Sequence, residues 1–125
     1  MKDYRILVVD DEKVIREFLK DFLSDQGYGV DLASDGKEAL DKVRRSEYDL
    51  IITDIKMPNA NGIEVLKELK QKKSNTAVIM ITGYPSVETE TECRNLGASG
   101  YLVKPFSISQ IQQLLESNLN DKQSI

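Results

Sequence analysis

Four short hydrophobic runs in this chain each end at a charged or hydroxyl side chain, and this arrangement limits the folds that the chain can adopt. Apolar runs of this length are typical of parallel strands that are buried on both faces. The runs are Ile6–Val9 before Asp10 and Asp11, Leu50–Thr53 before Asp54, Val78–Ile81 before Thr82, and Tyr101–Val103 before Lys104. Ligands of open parallel sheets bind at the carboxyl ends of the strands, so these four segments direct polar side chains to one place.

Asp10, Asp11 and Asp54 bring three carboxylates to that edge of the sheet. Carboxylates this close together repel one another unless a cation lies between them. The sequence therefore predicts a magnesium site beside an aspartate that takes a phosphoryl group. The alternative for the acidic run Asp10-Asp11-Glu12 is an ordinary start of the next helix, because carboxylates favour helix N-termini.

Helical and strand patterns alternate about five times along the chain. The first helix carries apolar residues at three- and four-residue steps, namely Val14, Ile15, Phe18, Leu19, Phe22 and Leu23. Gly27 is expected to end this helix, and Tyr28 to Ala33 alternates in polarity as a strand at the sheet edge does. The other predicted helices follow Asp35-Gly36 and Asn61-Gly62, run from about Pro85 to Leu96, and include Ile108, Ile111, Leu114, Leu115 and Leu119. Repeated strand-helix units predict a parallel sheet covered by helices on both faces.

The length of 125 residues suits one domain, which we expect to span residues 1–119, with a polar tail or the start of a linker at 120–125. A segment of this size leaves no room for a separate effector domain, so it is expected to act through a partner. Both an excised domain and a stand-alone protein fit the sequence.

Composition argues against several classes of protein. The 17 basic and 21 acidic residues give a net charge of −4 without a marked basic cluster, so we expect no direct binding of nucleic acid. A single cysteine, no secretory signal and no apolar stretch that could span a bilayer predict a cytoplasmic protein without a membrane segment. The absence of histidine excludes a histidine-based triad or zinc site.

Five short motifs follow one another at spacings that suit this fold. They are Val-Val-Asp-Asp-Glu at 8–12, Asp54-Ile-Lys-Met-Pro58 with Asn61-Gly62, Ile81-Thr-Gly83, Leu96-Gly97-Ala98, and Tyr101-Leu-Val-Lys-Pro-Phe106. Together they resemble the receiver domain of two-component response regulators over Ile6–Leu119, particularly receivers that precede ATPase and DNA-binding domains in transcriptional activators. The resemblance implies a doubly wound α/β fold, with a five-stranded parallel sheet of order 2-1-3-4-5 and five helices.

The resemblance also assigns chemical roles. Asp54 would be the nucleophile that forms an acyl phosphate, and Thr82 and Lys104 would each contact a phosphoryl oxygen. Asp11 and Asp54 would bind Mg²⁺ directly, and Asp10 would bind it directly or through water. The remaining expected features of the site are a further Mg²⁺ ligand in the backbone carbonyl of Lys56 and a cis peptide bond between Lys104 and Pro105.

Other residues would control the signal. Thr82 and Tyr101 would form the switch, in which Tyr101 moves into space that Thr82 vacates; the alternative for Tyr101 is an ordinary core aromatic. Lys56, Gly83 and Tyr84 would flank the phosphoryl group and tune its lifetime.

The predicted fourth helix has few residues with which to pack. Its only clearly apolar positions are Val87, Cys93 and Leu96, so we hypothesise that it moves on phosphorylation of Asp54. The alternative is that small residues such as Cys93 simply replace larger core residues there.

These features favour a phosphoacceptor switch. A histidine kinase or phosphotransfer protein would donate the phosphoryl group, and the fourth helix, fifth strand and fifth helix would control an output domain or target, with homodimers on phosphorylation as a further expectation. The chain would catalyse only its own phosphorylation and slow dephosphorylation, without being an enzyme for a separate substrate.

Three alternatives stay open at this stage. A haloacid-dehalogenase-like phosphatase places Asp-x-Asp after its first strand, whereas this chain has adjacent Asp10 and Asp11. A flavodoxin-like flavin carrier has the same fold but needs a Ser/Thr/Gly phosphate cradle after Val9. A receiver that serves only as a protein-binding module is the third, although every chemical position is filled here.

Overall fold

The computed structural model describes residues 3–57, 59 and 61–119. The helices and strands follow one another as β1 (Arg5–Val9), α1 (Lys13–Asp25), β2 (Gly29–Ala33), α2 (Gly36–Arg45), β3 (Leu50–Asp54), α3 (Gly62–Gln71), β4 (Ala77–Thr82), α4 (Val87–Asn95), β5 (Gly100–Val103) and α5 (Ile108–Leu119). All neighbouring strands are parallel, and the sheet has the order β2-β1-β3-β4-β5. The predicted doubly wound α/β fold and its strand order are therefore confirmed, with β2 at an edge. The predicted tail at residues 120–125 lies outside the described residues.

The sheet separates two hydrophobic cores, which explains why its central strands are apolar throughout. Leu7, Ile51 and Met80 belong to the core that α2, α3 and α4 cover. Their neighbours in the strands face the other core, under α1 and α5, and include Ile6, Ile52 and Ile79. Each fully buried side chain of this size contributes about 1.5–3 kcal/mol to the folded state.

The apolar stripe of the first helix is wider than the part of the helix that is buried against the sheet. Leu19 and Leu23 are fully buried, and Gly27 ends the turn beyond the helix at φ 94°, in the left-handed conformation that favours glycine. Val14 and Phe18 carry the same periodicity but are 77% and 42% exposed. The helical period thus predicted the helix correctly, without indicating that part of its stripe faces solvent.

The fourth helix is shorter than predicted and weakly buried. It begins after Ser86, whose side chain accepts a hydrogen bond from the Thr89 amide at 3.0 Å, so Pro85 precedes the helix. Cys93 is its only fully buried residue, whereas Val87 is 78% exposed. Burial also raises the pKa of the Cys93 thiol, which fits a packing role.

Strand boundaries also differ slightly from expectation. Asp54 and Thr82 are the last residues of β3 and β4 and do not follow them, and β5 begins at Gly100 instead of Tyr101. Asp54 and Thr82 are consequently held by the hydrogen bonding of the sheet. Among the described residues, none of the helices combines the length and apolar character that crossing a bilayer would require.

Gly62 allows α3 to begin directly against the end of β3. Its amide donates to the Ile55 carbonyl at 2.9 Å, and a Cβ on Gly62 would overlap the carbonyl oxygen of Asp54. That oxygen belongs to the backbone and cannot turn away as a flexible side chain could. Glycine is therefore required for the close approach that fixes the backbone of Asp54.

Replacement of Gly62 by alanine should lower the free energy of unfolding by about 2 kcal/mol, because the new methyl group forces the start of α3 away from β3. Urea denaturation measures the change. Gly29→Ala is the matched control, since the nearest atom to its added Cβ is 3.8 Å away, and it should alter stability by less than about 0.5 kcal/mol. Equal effects of the two substitutions would contradict the steric explanation.

Candidate functional site

Asp54 lies at the end of the central strand, with only 8% of its side chain exposed. Lys104 approaches it from the loop after β5, where the Lys104 amide donates to the Thr82 carbonyl at 2.8 Å and the Lys104–Pro105 peptide bond is cis. The Lys104 ammonium donates to Asp54 Oδ2 at 2.8 Å. Strand ends that are distant in sequence thus bring an acid and a base into direct contact.

The Lys104 ammonium lies among three carboxylates. Besides Asp54, it donates to Glu12 Oε1 at 2.8 Å and lies 3.1 Å from Asp10 Oδ2. Burial lowers the pKa of Lys104, but hydrogen bonds to Asp54, Glu12 and Asp10 raise it by more, so the net shift is upward. Lys104 therefore remains positively charged at any physiological pH.

Asp10 is the most deeply buried carboxylate of the site, with 1% of the residue exposed. Its Oδ1 accepts from the Glu12 amide at 2.8 Å, and its backbone carbonyl accepts from Arg16 Nη1 at 2.7 Å. Its Oδ2 makes no hydrogen bond of acceptable geometry within the described residues, although the Lys104 ammonium is close to it. Burial raises the pKa of Asp10, and the hydrogen bond from the Glu12 amide and the nearby Lys104 ammonium offset this only in part.

Asp10, Glu12 and Asp54 can each present one oxygen such that the three atoms lie within 4.8 Å of one another. Hard oxygen ligands of this kind suit Mg²⁺, and Asp10 Oδ2, which has no hydrogen bond from the described residues, is a further reason why a cation fits here. Asp11, which the sequence suggested as a direct ligand, is exposed and lies outside this group. Glu12 supplies the third oxygen of the group, although its place in the acidic run had suggested only a possible role at the helix start, and the role of Asp11 stays a prediction.

Thr82 is 1% exposed, and its hydroxyl is bound within its own loop. Thr82 Oγ1 accepts from the Tyr84 amide at 2.9 Å. Tyr84 is 70% exposed, and the Lys56 ammonium lies 4.9 Å from the centre of its ring, a cation–π contact. Gly83 is exposed between them, and a Cβ there would come no closer than 3.9 Å to Lys104. The predicted flanking residues therefore surround the strand ends at the surface.

Tyr101 points towards the core that α2, α3 and α4 cover, and it is partly buried. Burial raises the pKa of its phenol, and the nearby Ser86 backbone lowers it by less. No hydrogen bond to the hydroxyl meets ordinary geometry within the part of the chain that the structure describes. A buried hydroxyl without a partner is costly, so this inward position is weakly held.

Comparison with known proteins agrees with this geometry. Residues 6–116 match the response regulator receiver domain family. The response regulator MprA of Mycolicibacterium vanbaalenii is 38% identical over 86% of this chain and 46% of its own length, and the transcriptional regulatory protein ZraR of Escherichia coli K12 is 40% identical over 96% of this chain and 27% of its own. The chain thus spans less than half the length of these relatives.

Solved structures show the same fold. A CheY-like receiver domain protein from Methanospirillum hungatei superposes with a TM-score of 0.91 at 31% identity, covering 98% of both chains. The response regulator TrrA from Thermotoga maritima, solved in complex with Mg²⁺ and BeF, gives a TM-score of 0.81 at 39% identity over 91% of this chain and 97% of its own.

This chain belongs to the response regulator receiver domain family, the phosphoacceptor switches of two-component systems. The membership confirms the resemblance and sets aside the phosphatase and flavin-carrier alternatives. It is a family of signalling domains and not of enzymes with separate substrates, and its members bind Mg²⁺ at acidic residues. Asp10, Glu12 and Asp54 form an acidic cluster in this chain.

Asp10→Asn should stabilise the metal-free domain at neutral pH by about 1 kcal/mol, because the raised pKa of Asp10 means that folding opposes its charge. The gain should shrink as the pH falls below this raised pKa and should vanish below the ordinary value of 3.8, where wild-type Asp10 is neutral in both the folded and the unfolded chain. Urea denaturation in chelating buffer across this pH range tests both points. The exposed Asp11→Asn variant is the control and should change stability little. Destabilisation by Asp10→Asn would contradict the explanation that burial disfavours the charge of Asp10.

Proposed function

We propose that Asp54 is the phosphoacceptor and takes a phosphoryl group from a phosphohistidine of a partner protein. The observation that carries the proposal is the contact between Asp54 Oδ2 and the Lys104 ammonium at 2.8 Å, inside a cluster of carboxylates at the strand ends. Such a cluster combines a nucleophile, a fixed cation and ligands for a second cation.

In the transfer, an oxygen of Asp54 attacks phosphorus while the phosphorus–nitrogen bond of the donor breaks. The electron pair of that bond stays on the imidazole nitrogen, which takes up a proton as it leaves. The Lys104 ammonium then contacts a phosphoryl oxygen instead of the Asp54 carboxylate. The Thr82 hydroxyl, which now accepts from Tyr84, turns to donate to another phosphoryl oxygen.

Bound Mg²⁺ would neutralise the charge of the phosphoryl group and align it with Asp54. We propose Asp54 and Asp11 as direct ligands, Asp10 as a ligand directly or through water, and the Lys56 carbonyl as a further ligand. Asp10 is well suited because its Oδ2 is buried without a hydrogen bond from the described residues. Asp11 would reach the ion by a rotation of its exposed side chain.

The rim of the site would set how long the phosphoryl group lasts. Lys56 and Tyr84 contact each other beside Asp54 and would limit the approach of water, whereas Gly83 would leave access for a partner's phosphohistidine.

Phosphorylation would alter the surface that lies beyond Thr82, away from Asp54. Movement of Thr82 would open space for Tyr101, whose inward position is weakly held, and so change the face formed by α4, β5 and α5. By analogy with relatives such as ZraR, whose name describes a transcriptional regulator, the partners would be a histidine kinase or phosphotransfer protein and an output domain that controls transcription. A cytoplasmic location, control of homodimer formation and no direct contact with nucleic acid complete the proposal.

Incubation with acetyl phosphate and Mg²⁺ should add one phosphoryl group to the wild-type domain, measured by intact mass. Asp54→Asn and the wild type with chelator should show no gain, whereas Asp49→Asn, which changes the aspartate just before β3, should still be labelled. An unlabelled wild type, under conditions that label another receiver, would leave only the protein-binding alternative.

The amide protons of α4 should exchange about tenfold faster than those of α1 in the unmodified domain, because α4 buries only Cys93 whereas α1 buries Leu19 and Leu23. Hydrogen exchange followed by NMR measures both helices in one sample. Cys93→Ser should accelerate exchange further in α4 alone. Equal protection of the two helices would favour the alternative that small residues merely fill the core there.

A further inference from the structure

Glu12 forms an ion pair that its place in the first helix does not require. It is the N-cap of α1, where a side-chain oxygen usually accepts a hydrogen bond from the first turn, yet it makes no such bond. Its carboxylate instead accepts from Lys104 Nζ at 2.8 Å, across 92 positions of sequence. The helix therefore begins without a side-chain cap while the carboxylate lies in the functional site.

The backbone of Glu12 is fixed in this position by the most buried part of the site. Its amide donates to Asp10 Oδ1 at 2.8 Å, and Asp10 is 1% exposed. The Glu12 side chain is 60% exposed, so its carboxylate reaches Lys104 from the solvent side, whereas Asp54 holds the ammonium from the interior. The Lys104 ammonium consequently makes two hydrogen bonds of 2.8 Å, one to the exposed carboxylate of Glu12 and one to the buried carboxylate of Asp54.

We propose that Glu12 is a positioning residue that keeps Lys104 at the acceptor while Asp54 changes from a carboxylate to an acyl phosphate. This inference rests on the proposed function. In the transfer the ammonium leaves Asp54 Oδ2 for a phosphoryl oxygen, and a lysine on a flexible stem can take many positions during this exchange. The Glu12 carboxylate takes no part in the transfer, so its contact can keep the ammonium within reach of the phosphoryl oxygens.

The same anchor acts before the transfer. An ammonium has three donors, and Lys104 uses one on Glu12 and one on Asp54. Because Glu12 shares the ammonium, Lys104 binds less tightly to the Asp54 oxygen that must attack phosphorus. Both effects should slow phosphorylation when the Glu12 charge is lost. The attack by Asp54 is hindered, and the phosphoryl oxygens lack a cation held in place.

The rate of phosphorylation by acetyl phosphate with Mg²⁺, followed by intact mass, tests the inference. Glu12→Gln keeps the length of the side chain and should react about threefold more slowly, the factor that a partly exposed ion pair can supply. Glu17→Gln is the matched control, because it removes a charge from the same helix that lies 3.8 Å from Lys13 and not at the site. It should react at the wild-type rate.

A Lys104→Ala background separates an effect through Lys104 from a direct one. In that background Glu12→Gln should cause no further slowing. Equal slowing there, or faster labelling of Glu12→Gln in the wild-type background, overturns the positioning role. An unlabelled wild type would instead refute the proposed function, so the two failures are distinguishable.

A second measurement needs no phosphoryl transfer. The NMR signal of the Lys104 ammonium should exchange slowly with water in the metal-free wild type and in Asp54→Asn, which lacks the charge of the inner anchor. It should be lost when Glu12→Gln is added to Asp54→Asn. Loss of the signal in Asp54→Asn with Glu12 intact would show that Glu12 cannot hold Lys104 alone and would overturn the inference.

Discussion

The contact between the Lys104 ammonium and the carboxylates of the first and third strands is the interaction on which the site depends. Asp10 and Asp54 are buried acids, and two such charges repel each other in a medium of low dielectric constant. The ammonium lies between the two carboxylates and so reduces the repulsion between them. Asp10 Oδ2 lies 3.1 Å from the ammonium but has no hydrogen bond from the described residues, so it can still bind a second cation.

The rest of the domain holds these charges at fixed distances. Two hydrophobic cores make the central strands rigid, and Gly62 lets α3 press against the backbone of Asp54. Towards the output face the packing becomes sparse, since α4 has one fully buried side chain and Tyr101 has a buried hydroxyl without a partner. A rigidly held Asp54 therefore adjoins a loosely packed face, an arrangement that suits a switch.

Much of this could be predicted from sequence because its causes are local. Apolar runs identify buried parallel strands, and the rule that sites lie at their carboxyl ends places Asp54, Thr82 and Lys104 together before any coordinates are known. The periodicity of α1 likewise located the helix. It could not indicate that Phe18 faces solvent, because exposure depends on what covers each face of the sheet.

Details of the site that depend on side-chain conformation could not be predicted. The resemblance implied Asp11 as a ligand, and that role stays a prediction. Only the fold shows that Glu12 reaches Lys104 and that the Asp11 side chain is exposed. The bond from the Tyr84 amide to the Thr82 hydroxyl is equally invisible in the pattern, since hydroxyls choose among many acceptors and donors. Long-range side-chain contacts have no periodic signature.

The parts of the site come from the two ends of the domain, since Asp10 follows the first strand and Lys104 follows the last. A chain still emerging from the ribosome has no Lys104 beside Asp54 until β5 has been made and has paired with β4. The complete site therefore forms only in the finished domain. A partly synthesised chain lacks the Lys104 contact that the proposed phosphoryl transfer to Asp54 uses.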